Sequence, residues 1–355
     1  MTHKKVSESL PQRNLPKLGP EWDSDFLDVW HSAIGFYRIW VLHLGRRYGI
    51  LHELAENSQP VSPIQLSRKL DLSEDALSLW CDAASAIGIV RKRGVGYSLP
   101  KRLIPLLVEE DSVRFIGGLP SYLAIRSVDF EAFDQFFKQG KSPLSQTHLG
   151  EAIKEGTIWD HIAFLRLVLP GEKELRRLLL RGAKVLDVGA GTGSWSVRLA
   201  RQFPLSRFEG IDPDSVAISK GTTQVEELGL SNVRLKVQDA ESMEFTSDFD
   251  VAYLGEVLNL IRPKDKVLRA CHRALKEGGF LVICEGLRSG QEGMRKIENQ
   301  LVHAMQLDFA LQGGRFFTRS ELESLVLKAG FGSVRYHDVG GGLWFIVARK
   351  LNADF

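Results

Sequence analysis

The second half of the chain alternates short apolar runs with single acids. Val185, Leu186 and Val188 form a run of strand type that leads into Gly189, Gly191 and Gly193. Beyond the glycines, Trp195, Val197, Leu199, Ala200 and Phe203 supply the apolar positions of a helix. Strand, glycine turn and helix make the first half of a βαβ unit. The glycines let backbone come close to a ligand, and the helix start presents free N–H groups. Three further runs follow at residues 207–211, 233–237 and 249–254, and they end at Asp212, at Asp239 and at Gly255-Glu256. With Asp187 in the first, four successive strand ends carry an acid. The pattern predicts an α/β sheet with one ligand-binding edge. Residues 333–339 and 343–349 flank Gly340-Gly341-Gly342, which signals a closing hairpin.

The first half reads differently. Residues 26–54 are the most apolar stretch and long enough to invite a membrane reading. Asp28, His31, Arg38 and His43 oppose it, since each is costly in hydrocarbon. The apolar residues crowd more than one helical face, which predicts a helix buried on several sides, including by a partner subunit. Ser62 followed by Pro63 starts a helix, and Ser73, with acids behind it, starts another. Residues 89–99 read as two short strands around a glycine turn. Helix, helix, hairpin is a winged helix-turn-helix, which serves either DNA binding or dimerisation. The helix that would enter a groove carries Glu74, Asp75 and Asp82, with no Lys or Arg before Arg91. Such a helix repels phosphate, so no nucleic-acid partner is expected, although the wing holds Arg91-Lys92-Arg93. Helices are expected at 113–123, 130–139, 156–169 and 172–180, with a loop at 140–149.

Length fits about two domains. The expected division is a mobile tail at 1–24, a mainly helical domain at 25–170 and a ligand-binding domain at 171–355. The tail has no apolar core behind its basic residues, so it does not read as a secretory signal. A net charge of +2 leaves no footprint for a polyanion. Cys81, Cys271 and Cys284 are scattered, and the histidines are dispersed. Neither spacing suits a metal or a disulfide framework, and the cysteine usage suits a reducing cytoplasm.

The glycine turn itself narrows the ligand. A Walker loop needs Lys and Ser or Thr after its last glycine, but Gly193 is followed by Ser194 and Trp195. A dinucleotide turn is Gly-x-Gly-x-x-Gly, whereas this one is Gly-x-Gly-x-Gly. Asp187 suits a cationic amine rather than a pyrophosphate. Asp212, about 20 residues on, is placed to accept both hydroxyls of a ribose. Asp239 suits an exocyclic adenine amine.

These residues resemble the class I S-adenosylmethionine-dependent methyltransferases. LDVGAGTG is similar to their first motif, GIDPD to their second, VQDAESM to their third, and ALKEGGFLVICEG to the segment before and along the fifth strand. The resemblance implies a Rossmann-like seven-stranded sheet, closed by an antiparallel hairpin, with S-adenosyl-L-methionine as methyl donor. By it Asp187, Gly189, Ala190, Gly191, Gly193, Gly255 and Glu256 would line the methionine part, Asp212 and Pro213 the ribose, and Asp239 and Ala240 the adenine. The winged helix ahead of that fold resembles the small-molecule O-methyltransferases, in which the N-terminal module dimerises and walls the acceptor pocket. That implies a homodimer acting on a small, aromatic or polyketide-like metabolite, with Trp159, His161, Phe309 and Phe316 as acceptor-pocket residues.

The catalytic positions of that group are altered. Asn259 stands nearest to where a catalytic His is expected, and it cannot accept a proton at neutral pH. Glu285 matches one flanking glutamate, while Phe316 replaces the other. A base would then come from His303 or Asp308 on the helix that lines the pocket, or the acceptor needs none. A carbon or amine acceptor stays open beside oxygen. So do a non-methylating enzyme that uses the sulfonium charge and a winged-helix regulator that senses the cofactor.

Overall fold

The computed structural model describes residues 24–141 and 147–351. The expected tail, apart from Ser24, and residues 142–146 of the expected loop lie outside the described residues.

The apolar stretch of the N-terminal half forms two helices, α1 (Ser24–Arg47) and α2 (Ile50–Glu56). Gly49 at φ 72° breaks them apart in the left-handed region that glycine tolerates. The expectation for this stretch is only partly met in the single chain. His43 and Gly45 are buried near the end of α1, but Val29, Trp30, Phe36 and Tyr37 are exposed. α3 (Pro63–Leu70) opens on a capping box in which Ser62 and Gln65 satisfy each other's backbone N–H. α4 (Glu74–Ala86) opens on Ser73, whose hydroxyl accepts from the Ala76 N–H. The antiparallel pair β1 (Arg91–Arg93) and β2 (Gly96–Ser98) completes the helix, helix, hairpin unit. Leu51, Leu54, Leu66, Leu77, Trp80 and Ile89 form its core.

A helical segment connects the two halves: α5 (Ile104–Leu107), α6 (Gly118–Val128), α7 (Phe133–Gln139), α8 (Leu149–Gly156), α9 (Ile158–Ala163) and α10 (Lys173–Arg181). The helix expected at 156–169 is divided, because α8 ends at Gly156 and a π turn at Phe164–Val168 follows α9.

The remainder is a seven-stranded sheet. It is built from β3 (Lys184–Val188), α11 (Ser194–Gln202), β4 (Arg207–Asp212), α12 (Ser215–Glu227), β5 (Val233–Val237), β6 (Phe249–Gly255), α13 (Lys264–Ala274), β7 (Leu275–Gly286), α14 (Ile297–Leu311), α15 (Arg319–Lys328), β8 (Phe331–Gly340) and β9 (Leu343–Lys350). The strand order is β5-β4-β3-β6-β7-β9-β8. The first five are parallel, and β9 runs antiparallel to both β7 and β8. This is the Rossmann-like sheet with a C-terminal antiparallel hairpin that the motifs imply. Its central strands read as near-continuous apolar runs because helices cover both faces. One face buries Leu186, Val188, Leu254 and Ile283 against α13 and α15, and the other buries Val185, Tyr253, Val282 and Cys284 against α11 and the π turn. Trp195 of α11 stacks on Tyr253 at 3.8 Å between centroids and 3° between planes, which fixes α11 against β6.

Candidate active site

The parallel strands β3, β4 and β6 end on one edge, and β3 and β6 are neighbours whose helices lie on opposite faces, so a crevice opens between their tips. The glycine turn stands there. Gly189, Gly191 and Gly193 have φ of 74°, 54° and 72°. A Cβ on Gly189 would lie 2.5 Å from Val257, whereas a Cβ on Gly191 would meet nothing within 4 Å. The turn is thus closed toward protein at the first glycine and open toward the crevice at the second. Asp212 receives the Gly191 N–H and the Asp214 N–H, each at 2.8 Å, which ties the tip of β4 to the turn. Pro213 is exposed just beyond it. Asp239 is exposed at the end of the third strand and accepts from Glu241 N–H at 2.8 Å, while Ala240 is buried beneath.

Asp187 is buried, and its carboxylate accepts from Ser196 Oγ at 2.7 Å. Burial pushes its carboxyl up to about 7, with Asp212 adding to the rise and Ser196 opposing it. A buried acid with one neutral partner favours a cationic ligand, since a positive charge there restores its ionised form. The open Gly191 face, the Asp212 carboxylate and this acid fit the ribose and amino-acid parts of S-adenosylmethionine, which supplies an electrophilic methyl when bound.

A cavity of about 360 Å³ lies beside this edge. α6 and the segment from α8 into α9 contribute Leu119, Tyr122, Ile153, Thr157, Trp159 and Asp160. α14 and the loop after it contribute Leu301, Val302, Met305, Phe309 and Phe316, and the β8–β9 turn contributes Gly340, Gly341 and Gly342. Glu256 and Gly286 close it at the tips of β6 and β7. The Phe309 and Phe316 rings meet at 4.1 Å. No Lys, Arg or His lines it among the described residues.

The structure brings Trp159, Phe309 and Phe316 of the expected acceptor residues into this cavity. His161 is elsewhere, because two positions along a helix turn a side chain by about 200°. It lines a separate charged groove with Arg46 and Arg198, where burial and the Arg198 charge push its imidazole down to about 3. The four expected catalytic residues do not line the cavity. His303 turns away to Ser289 Oγ at 3.1 Å. Asp308 is held by Arg126 Nε and Nη2 at 2.9 and 2.6 Å and by Tyr122 Oη at 2.5 Å. Glu285 and Asn259 are sealed, both 0% exposed, with the ring of Phe316 packed against Gly286 in front. Glu285 Oε1 accepts the Asn259 backbone N–H at 3.1 Å, and burial followed by the Glu256 charge pushes its carboxyl well up. Glu285 Oε2 and both polar atoms of the Asn259 amide have no partner. The acids that face the cavity are Glu256 and Asp160. Asp160 carries no motif and gave no sequence signal, since only the fold sets it beside Glu256.

A family of methyltransferase domains matches residues 179–326, the span that holds the glycine turn, the acid-tipped strands and β7. The chain is an S-adenosylmethionine-dependent methyltransferase. A demethylmenaquinone methyltransferase of Listeria monocytogenes is 28% identical over 199 residues, covering 50% of this methyltransferase and 82% of that protein. Human N-acetylserotonin methyltransferase, solved with its methyl donor, superposes with a TM-score of 0.68 at 18% identity, over 94% of this methyltransferase and all of that chain. An O-methyltransferase-like structure from Nostoc punctiforme gives 0.66 at 18% identity, over 93% and 100%. These two superpositions extend through the N-terminal half of the methyltransferase, so the whole fold, and not the sheet alone, is shared. No helix of the described residues is long and apolar enough to cross a membrane.

Proposed function

We propose that this methyltransferase transfers its methyl group to an oxygen of a small aromatic, polyketide-like acceptor. The observation that carries the reading is the cavity beside the donor crevice. It is apolar and walled by Trp159, Phe309, Phe316 and Met305, and its size suits a two- or three-ring molecule. Its neighbour in fold, the human enzyme, is named for an aromatic acceptor of that scale. A carbon acceptor is the second reading. Asn259 provides no base at the family position, and the curated relatives are named for methylation of demethylmenaquinone. Incubation with a panel of phenols, hydroxyquinones and amines, with mass and NMR analysis of the products, tests both. A methoxyl signal supports the first reading, a ring C-methyl the second, and N-methylation alone would overturn both.

We further propose a homodimer formed through the N-terminal half. Val29, Phe36 and Tyr37 of α1 are 75, 50 and 67% exposed, and such a cluster favours burial by a second copy. Sedimentation equilibrium at low micromolar concentration tests it, and a monomer there would refute it.

A further inference from the structure

Two acids stand alone in an otherwise apolar chamber. Asp160 is 6% exposed, lines the cavity and accepts from its own backbone N–H. Glu256 lines it from the other side and takes a bond from the Gly286 N–H. An oxygen of each, together with Cys284 Sγ, lies within 4.8 Å of the others. Glu256 holds φ 53°, a left-handed conformation that costs a non-glycine residue energy and concentrates at functional sites. Its carboxylate lies beside that of Asp160.

We propose that the Asp160–Glu256 carboxyl pair is the proton acceptor for methyl transfer, in place of the sealed Asn259–Glu285 position. This deepens the oxygen-acceptor reading above and rests on it. Two carboxyls this close cannot both ionise readily, so the pair shares one proton and one member remains a carboxylate. Burial pushes Glu256 up to about 7, and burial followed by the Glu256 charge pushes Asp160 well up. The groups around them are Cys284 and Glu285 of β7 and Tyr253 of β6, each pushed toward its neutral form by burial first. A base near 7 is matched to removing a phenolic proton at neutral pH. In the step, the acceptor oxygen bonds to the methyl carbon while the methyl–sulfur bond breaks, its electron pair staying on sulfur. The acceptor's O–H proton passes to the ionised carboxylate, which leaves both acids neutral until one proton returns to water.

The test compares the wild type with Asp160→Asn and Glu256→Gln. S-Adenosylhomocysteine calorimetry on Asp160→Asn should give wild-type affinity, which shows an intact fold and donor crevice, and an unchanged thermal midpoint shows that Glu256→Gln is folded. Infrared titration of the ligand-free protein should show protonated-carboxyl intensity near neutral pH, beyond that of Asp187 and Glu285, that either substitution lowers. Single turnover with a weakly acidic phenol should fall about a hundred- to ten-thousand-fold in both variants. A strongly acidic phenol, ionised before it binds, should recover most of that loss in the variants. Wild-type rates and pH profiles in both variants, while the wild type methylates phenols, would overturn the carboxyl pair and leave the oxygen reading standing. Phenols left unmethylated by the wild type would overturn both. Stoichiometric zinc in the purified protein would also overturn the pair as a base, by making Asp160, Glu256 and Cys284 a metal site.

Discussion

Arg126 of α6 and Asp308 of α14 meet in a buried ion pair, with two guanidinium nitrogens on one carboxylate oxygen. Arg126 is 0% exposed and also reaches Asp129 at 2.6 Å, and Tyr122 Oη closes the other Asp308 oxygen. The contact joins the two walls of the acceptor cavity. Removing one partner leaves a buried charge without its counter-ion, a loss of about 3–5 kcal/mol. Asp308→Ala should destabilise the protein by that amount in urea unfolding. Tyr122→Phe, which deletes the bond to Asp308 and a longer one from Gln312 Nε2 at 3.4 Å, should lose about 1.5–3 kcal/mol.

Asp187 makes the ligand-free protein pH-sensitive in a definite direction. Its carboxyl stands at about 7 in the fold and about 3.9 in the unfolded chain. Below the unfolded value both states are protonated, and the contribution to stability is fully present. As pH rises toward the folded value only the unfolded chain ionises, so stability declines by on the order of 4 kcal/mol. Unfolding midpoints should drop between about pH 4 and about pH 7, and Asp187→Asn should remove this part of the drop. Saturating S-adenosylhomocysteine, whose ammonium favours the ionised acid, should flatten the profile.

Asp212 receives the Gly191 and Asp214 N–H groups, and we propose that it also holds the ribose of the donor. Asp212→Ala should weaken S-adenosylhomocysteine binding by about 1.5–3 kcal/mol, read by calorimetry. Unchanged affinity would remove Asp212 from the ribose site.

Met305 lies on the cavity wall between α14 and α6, where bulk can be added without touching the donor crevice. Met305→Trp should raise the acceptor KM at least tenfold while S-adenosylhomocysteine affinity stays within about twofold, a loss of roughly 1.4 kcal/mol or more at the acceptor alone. Equal losses at both sites would mean that the cavity and the crevice are one compartment.

The sheet and the glycine turn at its edge were legible because their signals are local. Glycines at positive φ and acids at strand tips sit within a few residues of the turn they shape, so Asp187, Gly191 and Asp212 could be placed at strand ends from a line of sequence. The break at Gly49 was not legible, because an apolar run continues across it and one left-handed residue decides the matter. The acceptor side was read unevenly. Trp159, Phe309 and Phe316 announce themselves by size, but helix rotation decides that His161 and His303 point away. Asp308 looks like a free acid until Arg126, distant in sequence, is folded onto it. Asp160 is one more polar position on a helix until β6 brings Glu256 beside it.

The lining of the acceptor chamber also sorts metabolites by ionisation. Among the described residues it carries acids and no cationic side chain, so a guest that enters the wild-type chamber as an anion would add a second like charge in a medium that screens poorly. On the proposed reading, aromatic acids and sulfated or phosphorylated aromatics would bind the wild type more weakly than neutral phenols, and neutralising one acid of the pair would ease that repulsion. A cell holding both forms of a metabolite would see only the uncharged one consumed, and conjugation with an anionic group would switch that molecule out of the enzyme's reach.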